Sequence, residues 1–69
     1  MKLEFLEFEW KEFVDNCAFT DDELEIIPYL KRGIYLYSIA QRLNVSEKTV
    51  QRRKKSIENK MIKYLRRVG

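Results

Sequence analysis

The densest chemistry in this sequence lies between Lys48 and Lys55. Gln51, Arg52, Arg53, Lys54 and Lys55 are consecutive, and Lys48 and Thr49 stand just before them. These side chains donate hydrogen bonds, and most carry positive charge. A glutamine can pair bidentately with adenine, an arginine or lysine with guanine, and any of the cations can neutralise a phosphate. Other chemistries find no support. The chain has no histidine and one cysteine, Cys17, so zinc-finger chemistry and an intrachain disulfide are excluded. Cys17 is expected to fill the core rather than to react. No arrangement of nucleophile, base or metal ligands occurs, so no enzyme, cofactor or metal site is expected.

Such side chains act only if a helix presents them and a second element holds that helix. Residues 38–57 read as this pair. Ile39, Ala40 and Leu43 recur at helical spacing and share one face. Asn44-Val45-Ser46 then breaks the pattern: Asn tolerates the left-handed conformation that ends a helix, Val45 offers an apolar contact, and Ser46 is a good N-cap. Val50 and Ile57, two turns apart, can face inward, leaving the basic residues outside. This is the sequence form of a helix-turn-helix, whose second helix enters the DNA major groove.

The charge distribution supports a polyanionic partner. The net charge is only +3, yet residues 1–27 carry two lysines against nine carboxylates, and residues 28–69 carry twelve cations against two carboxylates. A basic half joined to an acidic half orients a molecule toward a polyanion. Sixty-nine residues predict one small domain near the lower limit for folding alone. No run of about 18 apolar residues suggests a membrane span, and no secretory signal is evident. The expected location is cytoplasmic, with no membrane partner.

Along the chain, Leu6, Trp10, Phe13, Val14 and Cys17 follow a helical pattern, which predicts a helix from residue 5 or 6 to residue 16. Phe5 and Phe8 fall off that stripe, so either the stripe is wide or an aromatic patch is left for a partner. Thr20 and Glu23 form a capping box, with Phe19 and Leu24 as its hydrophobic staple. Leu24, Ile27 and Leu30, with Ile26 beside them, are expected on the inner face of the next helix. Pro28 should bend it, and Gly33 should stop it. Tyr35 stands where a helix cap is needed. Tyr35 and Tyr37 either pack their rings or reach a phosphate. Ile57, Met61, Tyr64, Leu65 and Val68 continue the Val50 stripe, predicting one helix from residue 47 to about 67. That stripe can pack on Trp10 or Phe13, meet the tail of a second chain, or do both.

Two segments carry a family likeness: Thr20-Asp21-Asp22-Glu23-Leu24-Glu25-Ile26-Ile27 followed by Gly33, and Ile39-Ala40-Gln41-Arg42-Leu43-Asn44-Val45-Ser46-Glu47-Lys48-Thr49-Val50 followed by the basic helix. Residues 19–65 thereby resemble the DNA-binding domain of LuxR-type response regulators. They are also similar to region four of bacterial sigma factors. The resemblance implies base contacts by Gln51, Arg52 and Lys55, and phosphate contacts by Ser46, Lys48, Thr49, Arg53 and Lys54. Three features depart from the pattern. Ser38 stands where an acidic residue is usual, Pro28 interrupts the scaffold helix, and residues 58–67 show no break before a separate dimer helix. In the last respect the tail is closer to sigma region four.

The expectation is an all-α helix-turn-helix bundle of about four helices with a long C-terminal recognition helix. One domain spans residues 1–69, with an acidic aromatic helix in 1–18 and the LuxR- or sigma-like part in 20–69. The expected function is sequence-specific binding of double-stranded DNA by a small bacterial or phage-type transcriptional regulator. A homodimer is expected through Ile57, Met61, Tyr64, Leu65 and Val68, or these pack as a tail on their own chain. Alternatives are a sigma-like module that docks on RNA polymerase or another regulator, and a DNA-binding component of a recombination or transposition system.

Overall fold

The structure is a computed structural model that describes residues 3–68. Among these residues there are four helices and no strand: α1 (Glu7–Asn16), α2 (Asp21–Lys31), α3 (Leu36–Leu43) and α4 (Glu47–Val68). α4 is the hub, since α1, α2 and α3 all pack against it. Its 22 residues span about 33 Å at 1.5 Å per residue, close to the 36 Å long axis of the molecule. The expected all-α architecture and unbroken C-terminal helix are both observed.

Local chemistry explains where the helices start. Thr20 accepts the Glu23 amide on Oγ1 at 3.3 Å, and Glu23 accepts the Thr20 amide on Oε1 at 2.8 Å, completing the capping box. Asp21, Asp22 and Glu23 also meet the positive end of the α2 dipole. α1 begins less strongly, with the Leu6 amide donating to Glu9 at 2.8 Å. Tyr35 occupies the cap position of α3, as expected, without a side-chain cap hydrogen bond. Ser46 caps α4 by accepting the Thr49 amide at 3.1 Å.

Left-handed residues end the helices. Gly33 (φ 69°) follows α2, where the Gly33 amide reaches the Leu30 carbonyl and the Ile34 amide reaches the Tyr29 carbonyl, a Schellman closure. Asn44 (φ 57°, ψ 43°) repeats the arrangement after α3, with the Asn44 amide on Gln41 and the Val45 amide on Ala40. Val45 packs against the core and fixes the exit toward α4. Between α1 and α2, Ala18 is also left-handed (φ 51°), a conformation costly for a residue with a Cβ.

The core is formed by Trp10, Phe13, Ile26, Ile27, Leu30, Ile39, Ala40, Val50, Ile57 and Met61. Several expectations need correction here. Leu24 is 38% exposed, and the α2 face it was assigned to holds Glu23 instead, only 3% exposed. Leu6 and Val14 are exposed, whereas Phe5 packs edge-on against Trp10 and Phe13 with centroids 5.6 and 5.0 Å away. Phe5 therefore belongs to the core and Phe8, 66% exposed, does not. α2 runs through Pro28 to Lys31, with the proline at the surface. Cys17 is half-buried against the core, and its thiol reaches the Lys60 carbonyl at 3.8 Å. Burial raises the Cys17 pKa, which suits a packing role. The expected location of α4 against α1 is also observed: Phe13 meets Tyr64 edge-on at 5.8 Å.

Candidate nucleic-acid interface

The buried stripe of α4 fixes what its other side can present. Val50, Ile57 and Met61 are fully buried. With about 100° between successive residues, Lys48, Gln51, Arg52 and Lys55 fall within an arc of about 100° on the opposite side. All four are exposed. The structure therefore brings Gln51, Arg52 and Lys55 onto one outward face, joined by Lys48. Arg53 and Lys54 behave differently: they lie on either flank of the buried stripe, roughly 60° and 40° from Val50, and are half-buried.

Each flank opens into a shallow cleft. On one side, Lys54 lines a cleft with Leu3, Glu4, Ile34, Tyr35 and Leu36. On the other, Arg53 shares a cleft with Thr49, Arg52 and the first turn of α2. Lys54 and Tyr35 thus stand on one side of the outward face, and Arg53 and Thr49 on the other.

Ser46 and Thr49 sit at the start of α4 with their hydroxyls 2.9 Å apart. Tyr35 is 81% exposed, and Tyr37 is exposed with its hydroxyl accepting a hydrogen bond from Gln41 at 2.9 Å. The ring-packing alternative for the two tyrosines is therefore not what the fold adopts. Both belong to the polar surface around the start of α3. The tail residues divide: Ile57 and Met61 are buried within their own chain, Tyr64 packs partly on Phe13, and Leu65 and Val68 are exposed.

Two ion pairs beside this surface were not legible in the sequence. Lys60 Nζ approaches Glu23 Oε1 at 2.5 Å, joining the start of α2 to the second half of α4. Burial disfavours the Glu23 carboxylate, but hydrogen bonds from Lys60, Ser56 and the Thr20 amide outweigh it and lower its pKa to about 2. Lys60 is thus committed to the scaffold. Arg53 is also engaged, with its guanidinium 3.6 Å from Asp22. Nothing local marks these pairs, because each joins residues far apart in the chain. α1 is held similarly, through Lys31–Glu7 at 2.6 Å and the Tyr64 hydroxyl donating to Glu12 at 2.7 Å.

No group of three His, Cys, Asp or Glu residues among those described could hold a metal ion. No described helix is long and apolar enough to cross a membrane. Residues 18–63 match the sequence profile of the bacterial regulatory proteins of the luxR family, GerE. Neither the curated proteins nor the solved structures yield a match. The matched region runs from just before the α2 capping box to within α4, and it takes in the whole outward face from Lys48 to Lys55. α1 lies outside it. The match spans two thirds of the chain, including the turn closed by Asn44 and the basic helix after it, and the chain belongs to the luxR family of bacterial regulatory proteins, with a helix-turn-helix domain that binds DNA in transcriptional regulation.

Proposed function

We propose that the chain binds double-stranded DNA sequence-specifically as a small transcriptional regulator, with α4 in the major groove. The carrying observation is the outward face of Lys48, Gln51, Arg52 and Lys55 opposite the buried stripe. Gln51, Arg52 and Lys55 read base edges. Ser46, Lys48, Thr49, Arg53 and Lys54 contact phosphates, which positions the reading residues. The exposure of Leu65 and Val68 at the end of α4 supports a homodimer joined through the tail. Because Ile57 and Met61 are buried in their own chain, that contact uses the last turns alone.

Selection of bound duplexes from a random pool, with the mass in solution measured beside it, tests this function. A palindromic site and a doubled mass are expected; a short asymmetric site with a single mass would remove the dimer. Arg52→Ala should relax base preference at one position, with a discrimination loss of about 1–3 kcal/mol. Lys48→Ala should weaken binding to all sequences alike and lower the salt slope by about one. If both variants bind like the unaltered chain, α4 is not the reading helix.

A second reading is favoured by one observation. Phe8 is exposed on α1, outside the family match. An exposed aromatic on an acidic helix suits docking on RNA polymerase or another regulator. Polymerase capture by the unaltered chain but not by Phe8→Ser would support it.

A further inference from the structure

Asp22 has no part in the reading face, yet it sits beside it. It lies in the first turn of α2, where the positive end of the helix dipole favours its charge without help from any cation. Its side chain is 67% exposed and opens into the same cleft as Thr49, Arg52 and Arg53. Arg53, by contrast, sits on the flank of α4 and directs its guanidinium to the Asp22 carboxylate, 3.6 Å away. We propose that Asp22 is an internal competitor for DNA phosphate at Arg53, a positioning residue that sets how tightly the chain holds any duplex.

The physical argument is one of exchange. An exposed ion pair is weak and easily given up. A guanidinium that moves from a carboxylate to a phosphate loses one anion and gains another, so the net gain is small. The carboxylate left behind then faces the phosphate wall, where like charges repel. Both effects act on every sequence, because the ion pair that Asp22 makes is with Arg53 and not with Gln51, Arg52 or Lys55. The neighbouring Glu23 cannot act this way, since it is buried and neutralised by Lys60. Asp21 supplies the same charge one residue away and, among the described residues, forms no ion pair with Arg53.

The proposal rests on α4 meeting the duplex, and the test separates the two. Binding of a random-sequence duplex is measured by fluorescence anisotropy at several salt concentrations, for the full chain and for Asp22→Asn, Asp22→Glu, Asp21→Asn, Arg53→Ala and the double variant Asp22→Asn with Arg53→Ala. Thermal melting confirms that each is folded. Asp22→Asn should bind about 3- to 10-fold tighter, with a salt slope steeper by about one phosphate contact. Asp22→Glu should behave like the unaltered chain, and Asp21→Asn should show less than half the gain. Against Arg53→Ala, the Asp22→Asn gain should fall to the Asp21→Asn level. Equal gains from Asp21→Asn and Asp22→Asn, or a full gain that persists without Arg53, would overturn the proposal and reduce Asp22 to general repulsion. If the unaltered chain binds no duplex at low salt, the DNA reading of α4 itself fails, and the proposal falls with it.

Discussion

Glu23 accepts the Thr20 amide as a helix cap and receives the Lys60 ammonium while almost wholly buried. A carboxylate so placed is costly to protonate. Its pKa lies near 2, below its ordinary 4.5, so it contributes stability that is full above about pH 4.5 and is lost as the pH falls toward 2. The shift corresponds to stability on the order of 3 kcal/mol. Glu23→Gln keeps the amide acceptor and removes the charge. Urea unfolding at pH 6, 3.5 and 2 should show the unaltered chain losing stability across that window and the variant losing much less. Parallel losses in both would mean that other carboxylates carry the acid sensitivity. Half of this residue was legible in the sequence. The spacing from Thr20 to Glu23 predicts the cap, because a cap is local. The Lys60 partner was not predictable, because it depends on how α4 is rotated about its own axis, and no short-range pattern records that. The same lack placed Leu24 on the inner face: a stripe counted from apolar residues alone skips a glutamate, and the Lys60 ammonium, Ser56 and the Thr20 amide make burial of Glu23 tolerable.

Among the elements, the turn between α3 and α4 sets the direction in which α4 leaves α3. Asn44 reverses the chain with its left-handed backbone, and the Asn44 and Val45 amides close the last turn of α3. A β-branched residue resists that conformation, so Asn44→Val should cost about 1–2 kcal/mol. In a domain of this size that corresponds to a melting midpoint lower by about 5–15 °C. Asn44→Gly removes the steric objection and should stay within about 0.5 kcal/mol of the unaltered chain. Thermal melts followed by circular dichroism separate the two, and equal losses would show that the Asn44 side chain, not its backbone, holds the turn. The bounds of α2, the end of α3 and the start of α4 were legible because the Thr20 and Ser46 caps, Gly33 and Asn44 are local signals. The face each helix buries was legible for α3 and α4, where apolar residues recur without a rival stripe. At α1 the stripe through Leu6, Trp10, Phe13 and Val14 is only half buried, and Phe5, which precedes the helix, joins Trp10 and Phe13 in the core. The rings of Phe5, Trp10 and Phe13 meet one another, and Phe13 also meets Tyr64. Aromatic area outweighs the smaller side chains there, which leaves Leu6 and Val14 at the surface.

At the scale of the whole molecule, α1 and the second half of α4 stabilise each other, so the region outside the family match is part of the same core. Phe13 is the clearest link, touching Phe5, Trp10 and Tyr64 while buried. Removing its ring should cost about 3–5 kcal/mol. A chain of this length has a total stability of roughly 3–10 kcal/mol, so Phe13→Ala should lose much of it. The consequence for cooperativity can be measured directly. Trp10 is the one tryptophan, buried in α1, and its fluorescence reports the docking of that helix. Far-ultraviolet circular dichroism is dominated by α4 and the helices around it. If α1 is integral to the core, both signals should change with one midpoint in urea, and Phe13→Ala should move both together. A tryptophan transition that precedes the loss of helix would make α1 an appendage on an independently stable helix-turn-helix. The packing argues for the single transition. Met61 and Ile57 are fully buried, Tyr64 is covered on its Phe13 side, and Glu12 accepts the Tyr64 hydroxyl. Undocking α1 would strip that cover from the second half of α4, the same helix whose first half presents Gln51, Arg52 and Lys55 outward.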